Sequence, residues 1–189
     1  MDPQTSEEES LQHTCERAED LDNATVINIH RIQQLPNDIA ELAELARAEG
    51  YRFIDRLIDE FQSAQNTFSL PGEALFEARS ARALVGIGGL NVDPYCAGGT
   101  TGRIRRMYVR NDHRGRGVGR LLIHAIESRA RARFDELRLF TDKPDAAAFY
   151  LALGYDVVED SGATHVKRLN VASSYGRGQS NEYSIERLP

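Results

Sequence analysis

Arg114-Gly115-Arg116-Gly117-Val118-Gly119 lies between the strand-like run 104–109 and the apolar-periodic stretch 121–134. The order reads as a strand, a glycine-rich turn, and a helix that starts at the glycines. A helix start leaves backbone N–H groups without intrahelical acceptors, and the helix dipole favours negative charge there. Glycine takes turn dihedrals that a side chain forbids and lets the backbone come close to a bulky anion. The arginines add charge-assisted hydrogen bonds. A structural turn would account for the glycines alone; the whole set suits a phosphate or pyrophosphate.

Two nucleotide-binding patterns do not fit. No Lys-Ser or Lys-Thr follows the glycines, as a G-x-x-x-x-G-K-[ST] loop requires, and Gly115-x-Gly117-x-Gly119 lacks the G-x-G-x-x-G spacing. What remains is R-x-x-G-x-G, carried by Arg114, Gly117 and Gly119, directly after Met107-Tyr108-Val109 and Arg110-Asn111-Asp112-His113. This resembles the acyl-CoA-binding motif of the GNAT superfamily of N-acetyltransferases. A second stretch, Ala146-Ala147-Ala148-Phe149-Tyr150-Leu151-Ala152-Leu153-Gly154-Tyr155, is similar to that family's A-x-x-x-Y-x-x-x-G-[FY] segment. The resemblance covers residues 25–170 and is closest over 103–155.

The resemblance implies an α/β fold with a mixed, splayed central sheet of about six to seven strands and four flanking helices, the acyl-CoA N-acyltransferase fold. It implies acetyl-CoA as acyl-donor cosubstrate, lying between two parallel strands that end near Val109 and Phe140. Backbone N–H groups of Arg114, Gly115, Arg116, Gly117, Val118, Gly119 and Arg120 would hold the pyrophosphate. The edge of Met107, Tyr108 and Val109 would pair with the pantetheine amides, and an N–H near Val109 would polarise the thioester carbonyl. Tyr150 matches the general-acid tyrosine that protonates the departing thiolate; a tyrosine simply packed on the sheet is the alternative. Where many members carry asparagine seven residues before that tyrosine, this chain has Lys143, which could meet a CoA phosphate instead.

Nothing in the sequence selects a general base. Glu77, Asp93, His165 and water all remain open, and His30 and His113 lack metal-ligand spacing, so no metal is implied. The acceptor is expected to be an amine of a small molecule, reached by direct attack in a ternary complex. The alternatives are a protein-lysine or N-terminal acetyltransferase and a non-catalytic acyl-CoA-binding regulator. The exposed apolar strands of the closing hairpin could support a homodimer, which is a habit of the family.

Composition sets outer bounds. A chain of 189 residues suggests one domain with a substantial core. Two cysteines, Cys15 and Cys96, are too few and too scattered for a disulfide framework, so a reducing cytoplasm is expected. No apolar run approaches a membrane span, and the acidic start resembles no signal peptide. The net charge of −6 hides an asymmetry: eight acids face one arginine over residues 1–22, whereas eleven arginines face four acids over 103–138. Such a basic stretch raises nucleic acid as a partner, but no aromatic stacking residues interleave with the arginines, which argues against it.

Along the chain, residues 1–23 read as an acidic flexible arm, 24–170 as the catalytic domain and 171–189 as a polar tail. Residues 24–32 alternate as a first strand, and helices follow over 36–49 and 51–61. Strands are expected at 74–79, 82–90 and 104–109, with a long loop over 91–102. Gly86, Gly88 and Gly89 within one strand point to a bulge or the close approach of another element. A helix over 118–134 is expected to turn Val118, Leu121, Leu122, Ala125, Ile126 and Ala130 inward. A strand at 137–140, a helix between Pro144 and Gly154, and a hairpin over 155–169 complete the order.

Overall fold

The computed structural model describes residues 26–160 and 162–169. The acidic arm and the polar tail lie outside them. The described residues form a single seven-stranded sheet: β1 (Ile27–Ile32), β2 (Ala74–Ser80), β3 (Ala83–Val92), β4 (Thr101–Val109), β5 (Glu136–Leu139), β6 (Asp156–Asp160) and β7 (Ala163–Arg168). Four α-helices accompany it: α1 (Ile39–Ala48), α2 (Phe53–Gln62), α3 (Val118–Ala130) and α4 (Pro144–Ala152). The strand order is β1-β2-β3-β4-β5-β7-β6, antiparallel throughout except for the parallel pair β4–β5. A parallel pair needs a crossover, which α3 supplies.

Two apolar clusters build the core, one on each face of the sheet. α3 and α4 cover one with Leu122, Ile123, Ile126, Tyr150 and Tyr155, against Val85, Ile104, Leu137 and Leu139. α1 and α2 cover the other with Leu42, Ala46, Ile54 and Leu57, against Leu75, Ile87 and Tyr108. The β3 glycines are the contact points. A Cβ on Gly86 would stand 3.2 Å from Leu122, and one on Gly88 would stand 3.2 Å from Ile126, so α3 rests directly on the strand.

The inward stripe of α3 differs from the expected one. Ile123 and Glu127 are buried, whereas Leu121 is 42% exposed and Ala125 only partly covered. The helix is flanked on its 123/127 side by β7 and the end of α4. There Glu127 accepts hydrogen bonds from Lys167 Nζ (2.8 Å) and the Tyr155 hydroxyl (3.2 Å). With Arg131 Nη2 donating to its other oxygen (3.4 Å), this buried glutamate is satisfied, and the buried face of the helix shifts to include it.

The sheet opens at its centre. β4 and β5 pair only at Thr101, Gly102 and Arg103, so the six residues from Ile104 to Val109 have no partner on that side. β4 also carries a bulge. Gly89 pairs with Arg105 and Ile87 with Tyr108, leaving Gly88 opposite both Arg106 and Met107, and Arg106 adopts φ +57°. The bulge changes the strand's phase. Ile104, Met107 and Val109 pack towards α3, whereas Arg106 and Tyr108 turn to the α1/α2 face.

Candidate active site

The glycine turn follows β4 through a single 3-10 turn, Asn111–His113. Gly115 (φ +74°) and Gly117 (φ +84°) both occupy the left-handed region, and a Cβ built on either meets nothing within 4 Å. They are required by backbone conformation, not by crowding. Gly119 is different: its added Cβ would stand 3.1 Å from the Phe149 ring, so this glycine lets α3 and α4 meet closely. Leu121 N–H makes the first helical bond, to Gly117 C=O (3.0 Å). The N–H groups of Val118, Gly119 and Arg120 therefore precede any intrahelical acceptor and lie at the positive end of the helix dipole. A cleft of about 380 Å³ runs down α3 beside α4, bounded by Arg120, His124, Leu153 and Lys167.

Of the expected anion contacts, Arg114 is engaged elsewhere. Its N–H bonds Asn111 C=O (3.2 Å), and its side chain donates from Nε to Val109 C=O (2.9 Å) and reaches Glu49 (2.7 Å) across the Tyr108 ring. Arg116, Arg120 and Lys143 are exposed and make no ion pair among the described residues. Lys143 is the extended residue preceding α4, whose first position is Pro144.

The edge of β4 supplies the second element. Arg110 N–H bonds Val85 C=O (2.9 Å), and Val109 pairs with Gly86. In an antiparallel ladder, alternate residues point their N–H and C=O to opposite sides. The Val109 groups therefore face away from β3, towards the gap left by β5. The Arg114 bond to Val109 C=O reports the same direction.

Tyr150 projects from α4 into the cluster between α3 and the sheet, 6% exposed, with its ring beside Phe149 and Tyr155. Burial alone pushes its phenol well above the ordinary value, so it stays protonated. His165 on β7 is 3% exposed, and its ring centroid lies 6.2 Å from that of Tyr150. Its Nδ1 shares a hydrogen bond with Thr164 Oγ1 (2.9 Å), and its buried Nε2 has no partner among the described residues. The other two candidate bases lie apart from Tyr150. Glu77 is on β2, two strands from β4 and held by Arg79 (3.1 Å) and His30 (3.5 Å). Asp93, fully buried at the start of the β3–β4 loop, pairs with Arg103 (3.3 Å) and accepts from Tyr95 N–H (2.9 Å).

Sequence reasoning missed the charged network on the opposite face of β4. Glu60 takes Arg106 Nη2 with both oxygens (2.6 Å each), and Glu49 takes the Tyr108 hydroxyl (2.7 Å) together with Arg114. Burial first, and then the bond to Glu49, raise the Tyr108 phenol far above its ordinary range. One signal was available: the neighbours Arg105-Arg106 interrupt an otherwise alternating strand.

A splayed mixed sheet with a helix N-terminus opening at the divergence defines the acyl-CoA N-acyltransferase fold. The acetyltransferase (GNAT) family model matches residues 37–155, well over half the chain, and the chain belongs to that family. Among solved structures, a candidate acetyltransferase from Exiguobacterium sp. 255-15 is 28% identical, with a TM-score of 0.68, covering 76% of this chain and 93% of its own. A candidate acyl-CoA N-acyltransferase from Klebsiella pneumoniae is 26% identical, with a TM-score of 0.53, covering 77% of this chain and 99% of its own. YncA from Salmonella typhimurium, solved with its cofactor acetyl-CoA, shares the fold at 17% identity and a TM-score of 0.58, covering 78% of this chain and 96% of its own. No curated protein is significantly similar. No helix among the described residues is long and apolar enough to cross a membrane.

Proposed function

We propose that the protein transfers the acetyl group of acetyl-CoA to the amine of a small molecule by direct attack within a ternary complex. The observation that carries this reading is the meeting of two features at the top of β4: the free N–H groups at the start of α3 and the unpaired strand edge ending at Val109. Acetyl-CoA, when bound, supplies an activated thioester. Val118, Gly119 and Arg120 hold its pyrophosphate through their N–H groups, and the Met107–Val109 edge pairs with the pantetheine amides. Exposed Arg116 and Arg120 in that turn take phosphate oxygens, joined by Lys143 at the start of α4, the helix whose Phe149 packs on Gly119.

Val109 N–H receives the charge that gathers on the carbonyl oxygen, a contribution of about 3 kcal/mol to the barrier. Tyr150 gives its phenolic proton to the departing sulfur as the C–S bond breaks and the C–N bond forms. The surplus proton on the nitrogen leaves through water, or to the unpartnered Nε2 of His165, and Tyr150 is reprotonated from that side. The cleft on the α1/α2 side, about 450 Å³, suits a small acceptor.

The test is thermal unfolding with and without acetyl-CoA, repeated on Gly117→Glu, together with thiol release over a panel of amines. Ligand at about 100 times its Kd adds about 2.7 kcal/mol, which is roughly 5–10 °C in a chain of this size. Gly117→Glu forces a side chain onto a positive φ and sets a carboxylate where the phosphates bind, so its shift should vanish. Wild type that is not stabilised by acetyl-CoA would overturn the reading. Stabilisation without thiol release from any amine would leave an acyl-CoA-binding regulator.

A further inference from the structure

Three arginines leave β4 for the α1/α2 side, and two of them are neutralised. Arg103 pairs with buried Asp93 (3.3 Å), and Arg106 takes both oxygens of Glu60. Arg105 makes no hydrogen bond or ion pair among the described residues. It is half-buried in the wall of the cleft of about 450 Å³ that Asn66, Thr67, Glu73 and Val92 also bound. The other polar groups of that wall are already matched. The Asn66 and Asn91 amides bond one another (3.0 and 2.9 Å), and the two oxygens of Glu73 take the N–H groups of Leu70 (3.2 Å) and Val92 (3.0 Å). Arg105 is thus a guanidinium of this concave, partly desolvated wall with no hydrogen bond or ion pair among the described residues, while Glu73 is held by neutral N–H groups.

We propose that Arg105 clamps a carboxylate of the acceptor, so that the acceptor class is small amino acids: amines that also carry a carboxylate. This rests on the acetyl-transfer reading above. An unpaired half-buried guanidinium is costly, and a planar carboxylate matches its fork with two charge-assisted hydrogen bonds. Burial first, and the adjacent Arg106 charge second, pull the Arg105 pKa down, with the Glu60 charge offsetting only part of that. A monoanion matches the single guanidinium charge, whereas a phosphate dianion would add a second negative charge beside Glu60 and Glu73. The location fits the chemistry. Arg105 lies two residues past the last β4–β5 pair and two before Met107, roughly 7 Å along a strand. Val109 lies four residues beyond Arg105, roughly 13 Å along a strand, so a carboxylate held by the long guanidinium side chain leaves an amine several bonds away to reach the diverging edge.

The experiment compares amino acids with their amides and decarboxylated amines, in wild type, Arg105→Gln and Arg105→Lys. It reads thiol release and, in parallel, calorimetric binding to the acetyl-CoA-loaded enzyme. Wild type should favour the carboxylate form at least tenfold in kcat/KM. Arg105→Gln should lose that preference through a 10–100-fold rise in KM, and Arg105→Lys should keep part of it. The acetyl-CoA melting shift should survive in both variants. Wild type that prefers amides, or Arg105→Gln that still discriminates, overturns the proposal. So does a protein stabilised by acetyl-CoA that neither binds nor acetylates any carboxylate-bearing amine, in which case the transferase reading stands alone. Failure of acetyl-CoA to stabilise wild type brings down that reading and this one with it.

Discussion

The two faces of β4 reach their function by opposite routes. On the α3 side, the anion cradle comes from neighbours in sequence: a strand end, a 3-10 turn and two left-handed glycines within ten residues of one another. On the α1/α2 side, it is built from partners far apart in the chain, Arg106 with Glu60 across 46 residues and Tyr108 with Glu49 across 59. On the proposed reading the first face grips acetyl-CoA with backbone N–H groups, and what it asks of the sequence is the two left-handed glycines. The second is assembled from charges, and charge patterns are where acceptor selectivity can vary without disturbing the fold.

The largest effect expected from breaking this division belongs to the α3 side. Tyr150→Phe removes only a hydroxyl, so the fold and the acetyl-CoA melting shift should persist while turnover falls by about 10²–10⁴. Because burial raises the Tyr150 pKa, the wild-type rate should show no loss through tyrosine ionisation anywhere below about pH 10. A variant with full turnover would move the proton donor elsewhere. It would also remove the chemistry from the α3 side, leaving that side as a cofactor grip only.

The next effect belongs to the opposite face and should appear in stability. Arg106 is 6% exposed at its side chain and Glu60 20%, so Glu60→Ala strands a buried guanidinium. The expected cost is about 3–5 kcal/mol, or roughly 6–20 °C in Tm. Replacing the pair together, Glu60→Leu with Arg106→Met, should recover most of the loss, since well-packed apolar groups serve as well as a buried ion pair. A Glu60→Ala variant within 1 kcal/mol of wild type would show that the network is solvated. The contrast between a local face and a buried, long-range one would then lose its physical basis.

The same division explains how much could be read from the sequence. Element order, the parallel β4–β5 crossover and the turn at Gly117 were legible because each depends on local period, capping or a positive φ. Gly86, Gly88 and Gly89 announced close packing, since a glycine-rich strand has little else to offer. The inward stripe of α3 kept Val118, Leu122, Ile126 and Ala130 but took Ile123 and Glu127 in place of Leu121 and Ala125. Of the donors that satisfy buried Glu127, Arg131 is local, but Lys167 and Tyr155 lie 40 and 28 residues away. The bulge opposite Gly88 was foreshadowed by the β3 glycines, but its placement of Arg106 at a positive φ was not. Arginine carries no preference for positive φ, and the bidentate pair with Glu60, 46 residues away, accompanies that conformation. The carboxylates at Glu49 and Glu60 sit near helix ends, where surface acids are ordinary, so nothing in their sequence neighbourhood distinguishes them.

The smallest effect sharpens the comparison at the turn itself. Asp112 braces the 3-10 turn by accepting from Arg110 Nη2 (2.8 Å) and pairing with His113 Nδ1 (3.0 Å), yet its side chain is 57% exposed. Its hydrogen bond with His113 first, and that with Arg110 second, lower its pKa to about 2. A carboxylate depressed in the folded state contributes its full stability above the unfolded value of about 4, because there both states are ionised. As pH falls below that value the unfolded chain binds protons first, so the contribution drains away until about pH 2. Solvent screening limits it to a few tenths of a kcal/mol. Urea midpoints at pH 7 and pH 2.5 should therefore fall slightly further for wild type than for Asp112→Asn, and high salt should erase the difference. A loss above 1 kcal/mol that ignored both pH and salt would mean the turn is held as firmly as the Arg106–Glu60 face, and local geometry alone would no longer explain the cradle.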